Sequence, residues 1–340
     1  MTNKIEVLNV SREFSRGASL LHLATGRGKP PEVVHALDSV DLQIQPGEVV
    51  GIVGESGCGK STLGRIVAGL LEPSRGSVLH NGLELVAKNN LRARRERLKV
   101  QMIFQDPTSS LNPRMRVRNI VGEAPLHHGL VQRADLDDYV ARYLRMAGLD
   151  PEVAGRLPHE FSGGQRQRIG IARALAVQPE VLVCDESVAA LDVSIQAQIL
   201  NLLMTLRTDL GLTCLFISHD LGVVEHISDR VVVMYLGRVV EEGTVETLFD
   251  KPAHPYTSAL LSEVPRIDTG PRIYSAIQGE IPSPISPPKG CHFHPRCPFV
   301  MPICKQIAPK LQTVGQGHRS ACHLNEATEA ATDFIMTKED

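Results

Sequence analysis

The chain has 340 residues, 42% of them hydrophobic and 22% charged, with a formal net charge of −2. These are ordinary globular values, which exclude a disordered or fibrous chain and give no electrostatic case for a nucleic-acid partner. No apolar run approaches the ~18 residues of a membrane-spanning helix, and the first residues lack the apolar stretch of a signal peptide. A cytoplasmic protein of two domains, or of one large domain with an appendage, is expected.

Residues 4–14 and 36–44 alternate loosely and predict strands, with a Gly-, Arg- and Pro-rich loop from Arg16 to Pro31 between them. Phe14 ends the first strand, where an aromatic serves equally as core or as a platform for an adenine ring. Val49 to Val53 is an apolar β-branched run and predicts a buried strand. It leads into Gly54-Glu55-Ser56-Gly57-Cys58-Gly59-Lys60-Ser61-Thr62, which fits G-x-x-x-x-G-K-[ST]. Leu63, Ile66, Val67, Leu70 and Leu71 then fall on one helical face. Strand, glycine loop and helix are the context a phosphate-binding loop requires. Its backbone N–H groups and the helix N-terminus favour an anion, Lys60 reaches the terminal phosphates, and the Ser61 hydroxyl suits Mg²⁺.

Ser77 to Leu85 predicts a hairpin with Asn81-Gly82 at the turn. The basic stretch Arg92 to Lys99 carries no interleaved aromatics and is read as a solvated helix face rather than a nucleic-acid patch. Val100 to Phe104 predicts a buried strand that runs into Gln105 and stops at Pro107. Residues 117–155 have helical periodicity and predict an insertion into the nucleotide-binding core. Phe161-Ser162-Gly163-Gly164-Gln165 opens a helix through Ala176, with Ser162 as its N-cap. Val181 to Cys184 is an apolar strand ending in Asp185 and Glu186, placed to hold Mg²⁺ and to polarise a water. A helix over 194–207 follows, then a buried strand from Cys214 that ends in Ser218-His219-Asp220. There His219 is either structural or a γ-phosphate contact. Val231 to Val240, turning at Gly237, predicts a terminal hairpin.

Beyond residue 250 proline becomes frequent, and the segment reads as a separate, loop-rich appendage. Of the seven cysteines, Cys291, Cys297, Cys304 and Cys322 crowd this end, which in a reducing compartment suggests a metal more than disulfides. Four thiolates suit a structural Zn²⁺ or a four-iron, four-sulfur (4Fe–4S) cluster, or stay unligated in a reducing compartment; there is no C-x-x-C pair, which zinc ribbons usually carry. His292, His294 and His323 are expected not to replace them. Residues 324–340 are polar and expected to be disordered.

The phosphate loop, Gln105, Ser162-Gly163-Gly164-Gln165, the Asp185-Glu186 strand and His219 stand in an order that resembles the ATP-binding subunits of ABC transporters over roughly residues 4–250. Downstream, His254-Pro255-Tyr256-Thr257, Gly279-Glu280-Ile281-Pro282-Ser283-Pro284 and Gly290-Cys291-His292-Phe293-His294-Pro295-Arg296-Cys297-Pro298 resemble the C-terminal extension of dipeptide and oligopeptide importers, as does Asp192-Val193-Ser194-Ile195-Gln196-Ala197-Gln198. This resemblance implies an α/β fold: a RecA-like P-loop core with an antiparallel β subdomain and a helical subdomain at about 106–175, together spanning 1–250. A small Cys- and Pro-rich extension over 251–323 and the tail at 324–340 follow.

The resemblance also implies an ATPase. Gly54, Ser56, Gly57, Cys58, Gly59, Lys60, Ser61 and Thr62 would bind ATP, and Phe14 would stack on adenine. Ser61, Gln105 and Asp185 would hold Mg²⁺, and Glu186, His219 and Gln105 would be catalytic. Ser162, Gly163, Gly164 and Gln165 would face the nucleotide of a second ATPase subunit, often a different chain. The remaining implied partners are two transmembrane permeases and, indirectly, an extracytoplasmic peptide-binding protein, with this chain peripheral on the cytoplasmic membrane face. Some such importers carry an iron–sulfur cluster in the extension. Ser187 and Ala189 depart from the usual Pro and Ser of the family. The alternatives are import of nickel or another small solute, a soluble ABC ATPase acting on DNA or ribosomes, and a P-loop kinase, against which Glu186 and the Ser-Gly-Gly-Gln signature argue.

Overall fold

The computed structural model describes residues 3–16, 32–85, 91–189, 191–262 and 279–325. Most of the loop expected at 16–31, the tail beyond 325 and Ala190 lie outside them. Two sheets organise the chain. Strands β1 (Ile5–Arg16), β2 (Glu32–Ile44), β4 (Arg75–His80) and β5 (Leu83–Glu84) form an antiparallel sheet in the order β2-β1-β4-β5. Strands β3 (Val49–Val53), β6 (Val100–Ile103), β7 (Val181–Asp185), β8 (Thr213–Ile217) and β9 (Arg230–Tyr235) lie parallel in the order β9-β3-β8-β7-β6. Their near-continuous burial is what a parallel sheet covered on both faces demands, and β3, β7 and β8 are buried at every position.

Helix α1 (Lys60–Val67) starts at Gly59 and lies so close to this sheet that a Cβ on Gly64 would come 2.6 Å from Ile217 Cδ1. Val50, Ile52, Leu63, Ile66, Val67 and Ile217 fill the layer between the two sheets. The hairpin turn is as expected: Asn81 and Gly82 both have positive φ, 50° and 73°, as a type I′ turn needs. Helix α2 (Leu91–Leu98) covers the basic stretch, and there Glu96 is buried against His80, its Oε2 2.9 Å from Nδ1.

A short helix α3 (Pro107–Ser110) enters the helical insertion, made of α4 (Val117–His127), α5 (Leu136–Met146) and α6 (Gly163–Leu175). Ile120, Val121, Leu136, Val140, Leu144 and Ile169 form its core and join that of the main sheet. Helix α7 (Val193–Leu210) ends at Gly211 in the left-handed region, φ 63°, and α8 (Leu221–Ile227) follows β8. Strand β1 runs two residues past Phe14, which therefore does not end it.

The C-terminal segment differs from a detached appendage. Strand β10 (Arg238–Thr244) pairs with β9, and helices α9 (Val245–Asp250) and α10 (Pro255–Ser262) follow. Then β12 (His318–Ser320) pairs antiparallel with β10, and β11 (Gln312–Gly315) with β12, so the extension adds two strands to the ATPase sheet. A buried carboxylate fastens this join. Glu241, fully buried, accepts from Ala253 N at 2.6 Å and His254 N at 3.0 Å, and its Oε1 is 2.7 Å from His318 Nε2. Among the described residues no helix is long and apolar enough to cross a membrane.

Candidate functional site

Parallel strands with a common direction bring their carboxyl ends to one edge, where α/β folds bind ligands. Asp185 is in register with Ile217, Ile217 with Ile52, and Cys184 with Ile103. The next residues of each strand are therefore neighbours: the phosphate loop after β3, Gln105 after β6, Glu186 after β7 and His219 after β8. The loop, Gln105 and Glu186 meet at an open cavity of about 290 Å³, lined by Ser56, Gly57, Gly59, Lys60, Ser61 and Thr62 together with Gln105 and Glu186; His219 is not among its lining residues.

The loop's shape is dictated by its glycines. Gly59 has φ 106°, and a Cβ there would come 2.4 Å from Ala36 O; Gly54 has φ 147°, and a Cβ would meet Met234 O at 2.2 Å. No L side chain fits either position without displacing backbone. Lys60 is 5% exposed, and its Nζ donates to Gly54 O at 2.6 Å and Glu55 O at 3.0 Å, so the ammonium is folded over the loop. Cys58 is buried beneath, and burial pushes its thiol pKa up.

Ser61 Oγ donates to Asp185 Oδ1 at 2.8 Å. Burial raises the Asp185 pKa and the Ser61 hydrogen bond opposes this. A hydroxyl, a buried carboxylate and the Gln105 amide are hard oxygen donors, the set Mg²⁺ takes beside phosphates. Gln105 Nε2 donates to Glu186 Oε2 at 2.6 Å, and His219 Nδ1 stands 3.3 Å from Glu186 Oε1. Glu186 has φ 44°, a strained backbone for a non-glycine residue, fixed by its N–H bonding to Ile217 O at 2.9 Å. The expected catalytic trio is thus brought together around one carboxylate.

The remaining expected residues separate. Phe14 does not line the cavity; it pairs with Val34, which does, and so shares its face one strand out. Its ring lies under the Arg12 guanidinium at 4.6 Å. Ser162, Gly163, Gly164 and Gln165 do not line the cavity either. Ser162 Oγ accepts from Gln165 N at 3.3 Å while Gln165 Oε1 accepts from Ser162 N at 3.0 Å, a reciprocal capping box that leaves the start of α6 exposed. The pattern S-x-x-Q carried that signal in the sequence. Sequence reasoning missed Val34, Ala36 and Pro284 as cavity walls. Pro284 comes from the C-terminal extension, and its carbonyl accepts from His35 N at 3.0 Å. Ser187 is buried with a hydroxyl that meets no partner among the described residues.

Cys291, Cys297, Cys304 and Cys322 line one second cavity together with His254, His294, His323, Phe293 and Phe299; His254, His323 and Phe293 are buried, whereas Phe299 is exposed. His292 turns away, its Nδ1 3.1 Å from Leu236 O. Burial, with the neighbouring thiols adding to it, raises the pKa of Cys291 and pushes that of Cys322 up to about 11. The space between them is about 10 Å³, room for one water-sized body. Among the described residues no three His, Cys, Asp or Glu side chains converge closely enough to hold a single metal ion. The donor set is that of a thiophilic metal, though the walls stand closed on it.

Comparison with known proteins agrees with this geometry. The model of the ABC transporter family matches residues 37–189, and that of the oligopeptide/dipeptide transporter C-terminal region matches residues 240–304. The oligopeptide transport ATP-binding protein AppF of Bacillus subtilis is 50% identical over 324 residues, 94% of this chain and 97% of that one. OppF of Salmonella typhimurium is 50% identical over 289 residues, 84% of this chain and 86% of that one. The dimeric ATP-binding cassette MJ0796, in a post-hydrolysis state bound to ADP and Pi, superposes with a TM-score of 0.61 at 29% identity, over 71% of this chain and 98% of that one. With the loop, the acidic strand end and the capped signature helix all in place, the chain belongs to the ATP-binding proteins of the oligopeptide/dipeptide branch of the ABC transporter family.

Proposed function

We propose that this chain hydrolyses ATP to drive uptake of di- and oligopeptides through a membrane importer. The observation that carries the reading is the cavity where Lys60, Ser61, Gln105 and Glu186 meet. The backbone N–H groups of Gly57 to Thr62 and the Lys60 ammonium bind the phosphates. Ser61, Asp185 and Gln105 would hold Mg²⁺, which would neutralise phosphate charge when bound. Glu186 orients the attacking water and accepts its proton, Gln105 and His219 fix the Glu186 carboxylate, and in our reading His219 contacts the γ-phosphate. Peptide cargo is supported by the names of AppF and OppF and by the matching C-terminal region.

The exposed signature at Ser162 to Gln165 serves a nucleotide held by a second ATPase subunit, in our reading a different, related chain. Two transmembrane permeases complete the complex at the cytoplasmic membrane face, fed by an extracytoplasmic peptide-binding protein that this chain does not touch. Cys291, Cys297, Cys304 and Cys322, which line one cavity, would in our reading be the thiolates that hold a 4Fe–4S cluster, with Zn²⁺ as the alternative. Loading would part the walls and release the thiol protons. Its role is to stiffen the extension.

Affinity purification of the tagged chain from its host membranes tests the assembly. The expected result is two polytopic permeases, a second ATPase and peptide-dependent ATP turnover; a chain that turns over ATP alone and recovers no permease refutes it. Anaerobic preparations should be brown. A colourless one without iron by elemental analysis removes the cluster, and zinc in its place selects the alternative.

A further inference from the structure

Glu55 occupies a position that the phosphate-loop pattern leaves free, yet it is the most heavily tethered residue of the loop. Its carbonyl accepts from Lys60 Nζ at 3.0 Å and Cys58 N at 3.3 Å. Its N–H donates to Tyr256 Oη at 2.9 Å. Its carboxylate is gripped in a fork by Arg296, Nη1 to Oε2 at 2.7 Å and Nη2 to Oε1 at 2.9 Å. Tyr256 belongs to α10, and Arg296 to the short 3-10 turn His294–Arg296, directly before Cys297. Two separate pieces of the C-terminal extension thus hold one residue of the ATP site.

The holders are themselves fixed. Tyr256 is fully buried, and the Arg296 side chain is 5% exposed. The Tyr256 ring lies edge-on to Tyr235 at 4.7 Å and 5.4 Å from Phe293, and Phe293 is 5.3 Å from Tyr235. These rings tie the end of β9, α10 and the cysteine segment into one block. Arg296 Nη1 also reaches Tyr235 Oη at 3.4 Å.

We infer that Arg296 and Tyr256 are positioning residues for the phosphate loop, through which the C-terminal extension sets nucleotide affinity. This deepens, and rests on, the reading of the loop as the ATP site. Two physical effects act together. A phosphate-binding nest works when its N–H groups are oriented before the ligand arrives, and the Tyr256 and Arg296 bonds fix the first turn of that nest. The Glu55 carboxylate would otherwise present an unpaired negative charge to an anionic ligand in a half-buried site; the Arg296 guanidinium neutralises it. Neither residue touches the reacting atoms, so the effect falls on binding and KM more than on kcat.

The test uses the full-length chain, titrated with Mg-ADP and with a non-hydrolysable ATP analogue by calorimetry, and the assembled importer for steady-state turnover. Arg296→Gln should weaken binding of both nucleotides about tenfold, raise the KM for ATP in step, and leave kcat at saturating ATP within about threefold. Arg296→Lys, which keeps the charge but not the fork, should recover part of the loss. Tyr256→Phe should weaken binding about three- to fivefold, the loss of one hydrogen bond. Glu55→Gln with Arg296→Gln should bind no worse than Arg296→Gln alone, since the two act as a unit. Nucleotide affinities of Arg296→Gln and Tyr256→Phe both within twofold of the parent overturn the inference, as does a double variant whose loss is the product of the single losses. If Arg296→Gln does not fold, Tyr256→Phe alone decides, because it keeps the buried ring and leaves both charges in place: an affinity about three- to fivefold weaker supports the inference and one within twofold of the parent overturns it. Lys60→Ala runs alongside. Unchanged binding there removes the ATP-site reading itself, whereas lost binding there with an unaffected Arg296→Gln removes this inference alone.

Discussion

The join between the ATPase sheet and the C-terminal extension makes a quantitative demand on Glu241. Its ionised carboxylate can only accept, so the His318 ring nitrogen at 2.7 Å must donate, as do Ala253 N and His254 N. All three donors converge on a side chain with no exposure to water. Glu241→Gln keeps the shape but turns an NH₂ toward at least one donor. Each orphaned buried donor costs about 1–3 kcal/mol, so the variant should lose about 1–3 kcal/mol of stability. Glu241→Ala removes all three acceptor contacts and leaves a cavity; breaking a buried pair in this way costs about 3–5 kcal/mol or more. Urea unfolding at pH 7, followed by circular dichroism and by protease cleavage after residue 250, measures both. The extension should become cleavable at lower urea than in the parent. Paired with His318→Ala in a double-mutant cycle, the coupling should be about 1–3 kcal/mol. A Glu241→Gln chain within about 0.5 kcal/mol of the parent, the range of a neutral surface change, would refute the argument.

Three further outcomes are expected. Glu186→Gln should retain ATP binding and lose turnover by about 10²–10⁴-fold, equivalent to about 3–5 kcal/mol of barrier, in assays of the assembled complex; turnover within threefold of the parent would remove its role. Gly59→Ala should abolish nucleotide binding by calorimetry, because φ 106° and a Cβ 2.4 Å from Ala36 O leave no room for it, and retained binding would contradict the loop geometry. Burial pushes the pKa of His254 down to about 3 from an ordinary 6.5. The folded state then binds fewer protons than the unfolded one, so the contribution to stability is full above about pH 6.5 and is lost as pH falls toward 3. By pH 5 the loss should be about 2 kcal/mol, and His254→Asn should flatten that slope in melts at pH 7 and 5; an unchanged slope would place the acid sensitivity elsewhere.

The sequence discloses what is local. Gly54 and Gly59 are legible because a loop that folds back over a helix start needs backbone angles few other residues adopt, and Lys60-Ser61 follows immediately. Asp185 and Glu186 are legible because a buried apolar strand has to end in something, and two carboxylates there have no structural excuse. The hairpin at Asn81-Gly82 and the cap at Ser162 are likewise set by neighbours in sequence. Contacts between remote segments were not legible. Nothing in the Pro-rich stretch around Pro284 says that it walls the nucleotide cavity, nor does Arg296 look different from any basic residue beside a cysteine. Strand β12 is three residues long, too short to show alternation, and its place beside β10 is set by the Glu241–His318 contact. The second cavity is partly legible: four cysteines in one segment suggest convergence, but the buried Phe293 and His254 that line it with them are brought there by packing that no spacing reveals.

The pairing of β12 with β10 also orders events during synthesis. His318 follows Glu241 by 77 residues, and Arg296 follows Glu55 by 241. At about 5–20 residues per second, Glu241 waits roughly 4–15 s after leaving the peptidyl-transferase centre for its last partner to be made. A nascent chain that has already completed its phosphate loop, acidic strand end and signature helix therefore still has an open sheet edge and a Glu241 carboxylate without its His318 partner. Messages truncated between His219 and His318 would yield chains that carry every ATP-site motif but lack the closing strand. Such products would be selected for degradation by their exposed edge and not by any missing catalytic group. Released chains that end just before β12 and just after it should differ sharply in protease resistance at β10, and equal resistance would show that the edge closes without its final strand.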